Sequence, residues 1–205
     1  MKKIALIILL LILAIAGYYW YMFSKAGGGN HGPKQVPMTL KKHSTEFNVA
    51  VAAAMKSYFD MSASFVDADM ATAKENCRKF IQLMDSIPLD ELKKKDTASI
   101  YEAAAGSFSG ITDNAKSLLM QTNITEMRKD FSMVSENLYP FFKLINYEGE
   151  NMYWQNCPMA FGEDNGANWI SSSKIIINPY LGKNHPEFKG TMLHCGSVKD
   201  TIKAK

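Results

Sequence analysis

Residues 123–145 read NITEMRKDFSMVSENLYPFFKLI, and this stretch decides the fold. Met127, Phe131, Val134, Leu138, Phe141 and Ile145 recur at spacings of 4, 3, 4, 3 and 4. That period puts large apolar side chains on one stripe of an α-helix; a strand would need alternation with period two. Asn123 followed three residues later by Glu126 has the pattern of a capping box and marks the helix start. Asn123-Ile124-Thr125 is also a glycosylation sequon, but the cap accounts for it with less machinery. Pro140 lacks an amide hydrogen and is expected to kink this helix or end it early.

Three upstream segments carry the same period. Ser44 to Ala68 places Phe47, Val51, Ala54, Tyr58, Met61 and Phe65 on one stripe. Asp69 to Ile87 does so with Ala73, Cys77, Phe80, Ile81 and Met84, and Pro88 marks its end. Thr97 to Gln121 does so with Ile100, Ala104, Phe108, Ile111, Ala115 and Leu118. Four amphipathic helices joined by short polar loops predict a mainly α fold, a four-helix up-down bundle.

Ahead of the helices, Ile4 to Phe23 carries no charge and follows Lys2 and Lys3. About 20 helical residues reach roughly 30 Å, the thickness of a bilayer's hydrocarbon core. The lysines should stay cytoplasmic, so the body is expected outside the inner membrane. Residues 1–24 read either as an uncleaved signal anchor, with Tyr18 to Phe23 at the interface, or as a signal peptide cut after Ala14-Ile15-Ala16. No cysteine lies near that site, which excludes a lipoprotein anchor. Residues 25–40, with Gly27-Gly28-Gly29 and Pro33, read as a flexible linker in which His31 is an ordinary solvated residue. Residues 41–205 are then one domain, either anchored on the periplasmic face of the inner membrane or soluble in the periplasm.

The chain of 205 residues has 23 Lys plus Arg against 20 Asp plus Glu, a net +3 that falls to about +1 without Lys2 and Lys3. A near-neutral body argues against nucleic-acid binding through a basic face. Three cysteines are too few for a disulfide-built miniprotein. The unusual count is 13 methionines. Most, such as Met61, Met84 and Met127, fall in the helical segments as adaptable packing or ordinary surface residues. Cys77, on an apolar stripe, reads as a small core residue.

From about Tyr147 the character changes. Glycines and prolines recur, Trp154 and Trp169 appear, and Ile175-Ile176-Ile177 before Asn178-Pro179 suggests a short strand. This tail is too apolar for disorder and is expected to pack on the bundle. It holds two sulfur motifs, Cys157-Pro158-Met159 and Met192-Leu193-His194-Cys195. Thiolate and thioether are soft ligands that favour Cu(I) or Ag(I). Cys157, Met159, Met192 and Cys195, with His194 and secondarily Met152, form the candidate metal set. In an oxidising compartment a Cys157–Cys195 disulfide is the alternative, and the residues leave both open. His43 reads as a surface or capping residue, and His185 could join a site only if the tail folds that way. No P-loop, G-x-S-x-G elbow, H-E-x-x-H or C-x-x-C-H is present, and Glu163-Asp164 reads as a solvated turn. Nothing here nominates an enzyme.

The tail motifs Tyr153-Trp154-Gln155-Asn156-Cys157-Pro158-Met159, Asn168-Trp169-Ile170, Asn178-Pro179-Tyr180-Leu181-Gly182 and Met192…Cys195-Gly196 resemble the family called domain of unknown function 3347. Arg128, Phe131 and Ser135 fit its R-x-x-F-x-x-x-S pattern, and the resemblance spans about residues 40 to 202. It implies an exported helical-bundle domain, found alone behind an export signal or fused to periplasmic adaptors of copper/silver efflux pumps. A heavy-metal efflux adaptor or transporter is therefore the implied partner, with metal homeostasis the implied setting. The chain departs from the pattern in two places. Ala160 stands where a related Cys-Pro-Met motif continues to His-Pro, and Lys183 to Gly190 is a longer stretch than usual, able to shift one sulfur pair against the other.

Overall fold

The computed structural model describes residues 13–22, 42–93 and 98–204. The chain divides into two units, Met1–Thr39 and Leu40–Lys205. In the first unit, residues 13–22 form a helix, α1, with exposed side chains. Most of the apolar leader and the whole expected linker, His31 included, lie outside the described residues. Among those described, no helix is long and apolar enough to cross a membrane.

The second unit is mainly helical and closes with a small antiparallel sheet. Helix α2 spans Thr45–Val66, α3 Met70–Asp85, α4 Ala98–Met120 and α5 Ile124–Leu144. Each capped start is local chemistry. The side chains of Ser44, Asp69 and Asn123 accept from the amides of Phe47, Thr72 and Glu126, satisfying donors that a helix leaves open at its first turn. The reciprocal half of the expected capping box is replaced by an ion pair, Lys129 Nζ to Glu126 Oε1 at 2.8 Å.

Most of each expected stripe is buried, while Ile81, Ile100 and Phe108 are half-buried. Phe47, Val51, Tyr58, Met61 and Phe65 of α2 meet Phe80 and Met84 of α3, Ile111 and Leu118 of α4, and Met127, Phe131 and Leu138 of α5 in one core. Helix α5 continues four residues past Pro140 instead of ending early, because Phe141 and Phe142 are buried beyond it and hold the last turn in place. After Pro88 the chain makes a 3₁₀ turn, Leu89–Lys93, whose Leu92 is buried. His43 is not a surface residue: its side chain is 3% exposed and stacks on Phe47. Its Nδ1 lies 3.3 Å from Glu91 Oε1 and its Nε2 2.5 Å from the Ile145 carbonyl, tying the start of α2 to the 3₁₀ turn and the end of α5.

The tail forms strands β1 Met152–Cys157, β2 Ala167–Ser171 and β3 Ser197–Ile202, in the order β2-β1-β3, all antiparallel. The strand expected at Ile175–Ile177 does not form. The Gln155 amide Nε2 donates to the carbonyls of Ser173, at 2.7 Å, and Ile175, at 3.4 Å, so a side chain takes what a strand partner would.

One face of α5 docks this tail. Tyr58 of α2 donates to Ser135 Oγ at 2.7 Å, Ser135 donates on to the Phe131 carbonyl, and the Tyr58 oxygen accepts the Ile170 amide of β2. Phe131 lies between Tyr58 and Phe65, with ring centroids 5.0 Å from each, and also meets Tyr180 of the tail. Gly182 is needed where the tail crosses the end of α2, since a Cβ there would sit 2.3 Å from the Val66 carbonyl oxygen.

Candidate functional site

Cys157 ends β1, and Cys195 stands two residues before β3, the strand paired with β1. Ladder register therefore brings the thiols together, with Sγ to Sγ 2.8 Å and no bond between them. Cys157 is fully buried and Cys195 half-buried. Gly196 permits the approach. Its φ is +141°, and a Cβ would lie 2.7 Å from the Asn156 carbonyl oxygen, so a larger residue would push Cys195 off β1. The longer stretch Lys183 to Gly190 does not separate the two motifs.

Cys195 is held by backbone and amide contacts. Its N–H donates to the Met192 carbonyl at 2.9 Å, and its carbonyl accepts from Asn178 Nδ2 at 2.8 Å. Asn178, fully buried, also accepts the Tyr180 and Leu181 amides on Oδ1 and donates its own N–H to the Leu193 carbonyl. It thereby positions the Met192–Cys195 turn against the Asn-Pro-Tyr turn. Burial, with the hydrogen bond and charge of Cys157, pushes the Cys195 thiol up to about 11. At neutral pH it is a thiol, so binding of a metal there releases a proton.

The other expected ligands divide. Met159 is half-buried in the turn that follows Cys157, and Met192 is half-buried in the turn that delivers Cys195. His194 is exposed, with Nδ1 2.7 Å from the Ile176 carbonyl. A backbone acceptor fixes the hydrogen on Nδ1, which leaves Nε2 with its lone pair outward. Met152 does not belong with them. It begins the strand that Cys157 ends, so at about 3.3 Å per residue it lies roughly 16 Å away. There it is buried beside a cavity that Met55 also lines. Among the described residues, no group of three or more His, Cys, Asp or Glu side chains could hold a metal ion. Cys77 is buried in the core, as its stripe position implied, donates to the Ala115 carbonyl, and is pushed up to about 12 by burial.

Two residues that shape the site were not legible as functional. Asn178 is one. The other is Arg128, 3% exposed, whose Nε donates to the Pro179 carbonyl at 3.0 Å and whose Nη2 donates to the Phe65 carbonyl at 2.7 Å. It clamps the end of α2 to the Asn-Pro-Tyr turn, and the carbonyl-rich C-terminus of α2 is a favourable place for a cation.

Residues 54–149 match the family described as Protein of unknown function (DUF3347). The helical part of the chain is similar to this family. The match covers the helices from mid-α2 through α5, just under half of the chain, and ends before β1; the sulfur motifs follow it in sequence. No curated protein and no solved structure matches.

Proposed function

We propose that this is an exported soft-metal domain whose reduced Cys157–Cys195 pair holds one Cu(I) or Ag(I) ion, with Met159 and Met192 as thioether ligands and His194 as an outer one. The observation that carries this reading is the pair itself: two thiols from separate segments meet at one end of the sheet, one of them half-buried and reachable. The ion would be buffered or passed to a heavy-metal efflux adaptor or transporter. The helices serve as a scaffold, read as a four-helix up-down bundle, and the leader holds the domain at the periplasmic face of the inner membrane or is removed on export. No catalytic step is assigned.

A metal in this pair needs more room than the pair now leaves. With metal–sulfur bonds of about 2.3 Å, sulfurs 2.8 Å apart would subtend only about 75°, and a near-linear arrangement needs roughly 4.6 Å. Cys195, on a turn, is the side that can yield. The same 2.8 Å supports a second reading, an exported structural or partner-binding domain in which the pair closes to a disulfide and binds no metal. Closure loses two protons and passes two electrons to an exchanging disulfide. Reduction interconverts the two states.

Cu(I) competition on the full-length chain separates the readings. Reduced wild type should hold one equivalent, Cys195→Ser should lose at least 100-fold in affinity, and Met159→Leu with Met192→Leu about tenfold. Equal affinities in wild type and the double methionine variant would remove the thioethers from the site. Absence of binding by reduced wild type overturns the metal reading.

A further inference from the structure

A cavity of about 480 Å³ opens beside the Pro158–Met159 turn, and its walls come from three places in the chain. The second turn of α5 supplies Arg128, the turn after β1 supplies Phe161 and Glu163, and the segment after Asn178 supplies Tyr180, His185, Glu187 and Phe188. The longer stretch Lys183 to Gly190 thus builds one wall. The volume falls in the range of small-molecule sites, which pair apolar walls with a few placed polar groups.

The charges are sorted by depth. Arg128 and Tyr180 are buried at the base, Phe161 and Phe188 are half-buried, and Glu163 and Glu187 are exposed at the rim. Of five guanidinium N–H groups, two are used on the carbonyls of Pro179 and Phe65. Among the described residues no carboxylate pairs with Arg128, and burial pulls its pKa down to about 10 with no opposing charge. His185 cannot supply that charge, since an imidazole is only neutral or cationic, and burial with the nearby Arg128 lowers its pKa and favours the neutral form. A buried cation without a counter-ion is costly, and a planar fork with free donors matches a carboxylate.

We propose that this cavity binds a small zwitterionic carboxylate, an apolar α-amino acid or short peptide, with its carboxylate on Arg128, its side chain between Phe161 and Phe188, and its ammonium toward Glu163 and Glu187. A simple inorganic anion would satisfy Arg128 but would leave the aromatic walls wet and face two rim carboxylates. Met159 also lines the cavity, but the carboxylate, ammonium and aromatic contacts proposed here use neither thiol, so the site does not depend on the redox state of Cys157 and Cys195.

Isothermal titration calorimetry on the full-length chain, oxidised and reduced, tests this with four probes: L-phenylalanine, L-phenylalaninamide, 3-phenylpropionate and inorganic phosphate. L-Phenylalanine should bind saturably, tighter than about 1 mM, in both redox states. The amide, lacking the carboxylate, and 3-phenylpropionate, lacking the ammonium, should each be at least tenfold weaker. Arg128→Gln should abolish binding. Because Arg128 also clamps the tail, Phe188→Ala and Glu187→Gln are the companion variants, each expected to weaken binding about tenfold with an unchanged circular dichroism spectrum. No saturable heat with L-phenylalanine overturns the proposal, as does an amide that binds as tightly as the acid. Phosphate binding as tightly as L-phenylalanine overturns the zwitterion assignment.

Discussion

Closing the Cys157–Cys195 pair should change stability by an amount that the chain itself sets. The two residues are 38 positions apart, and a cross-link over that separation restricts the unfolded ensemble while leaving an already adjacent pair almost where it is. In the chain-entropy treatment a closed loop of this size is worth roughly 4 kcal/mol, and real disulfides often deliver somewhat less, so about 3–4 kcal/mol is expected. With a urea m-value of about 2 kcal/mol/M, the unfolding midpoint of the oxidised protein should lie about 1.5–2 M above that of the reduced protein. Trp154 and Trp169, both buried in the sheet, report the tail's unfolding by fluorescence. The control is Cys157→Ser with Cys195→Ser, whose midpoint should ignore oxidant; Cys77, buried in the core, remains in it. A redox difference below about 1 kcal/mol would refute the reasoning, because the loop length leaves no way to reach so small a value without native strain. A shift retained in the double serine variant would refute it too, by placing the effect elsewhere.

Two further outcomes follow from the tail's docking. Tyr58→Phe leaves the fully buried Ile170 amide without its acceptor and removes the donor to Ser135 Oγ, which keeps its own bond to the Phe131 carbonyl, and should cost about 1–3 kcal/mol in urea unfolding; a loss under about 0.5 kcal/mol would mean the chain of bonds contributes nothing. Asp200 accepts from Lys143 and Tyr139, and these contacts hold its carboxyl down to about 2. Its contribution is thus present above the ordinary aspartate value near 4 and is lost as pH falls through about 2. With a side chain 41% exposed it is screened to below about 1 kcal/mol. The stability gap between wild type and Asp200→Asn should therefore narrow as pH falls from 4 toward 2, and a constant gap would contradict the ion pair.

The helices were legible because their apolar stripes keep period, and because Ser44, Asp69 and Asn123 have the oxygen that a first turn needs. The sheet was not. In β1 the irregularity between Trp154 and Gln155 puts two buried residues side by side and destroys the alternation that marks a strand. In β3 the sequence SVKDTI is polar, with only Ile202 buried, as suits a partly exposed edge. Ile175-Ile176-Ile177 has strand composition but no strand to pair with. At the site, thiols and thioethers announced themselves by residue type, and the pairing of Cys157 with Cys195 was one of the two alternatives the residues allowed. Arg128 and Asn178 stood in the motifs that carry the family resemblance, but their roles did not show, because they act on backbone carbonyls and amides, which every residue supplies. Met152 misled because sequence distance along an extended strand is long in space.

The R-x-x-F-x-x-x-S pattern on α5 gains a physical meaning from these contacts. Arg128 binds the Pro179 carbonyl, Phe131 touches Tyr180, and Ser135 holds the tyrosine that accepts the Ile170 amide. Farther along the same helix Glu136 accepts from Asn168, and Tyr139 stacks on Trp154 with ring centroids 4.5 Å apart. Positions 128, 131, 135 and 139 follow the helical repeat and form one face, so that face of α5 is the mould on which the sheet is laid. The family match ends at residue 149, yet the helical residues it contains are the ones that fix where β1 and β2 lie, and β1 carries Cys157. The separation of the two thiols is then as much a property of the helices as of the tail, and α5 substitutions remote from sulfur act on the pair through the register of the sheet.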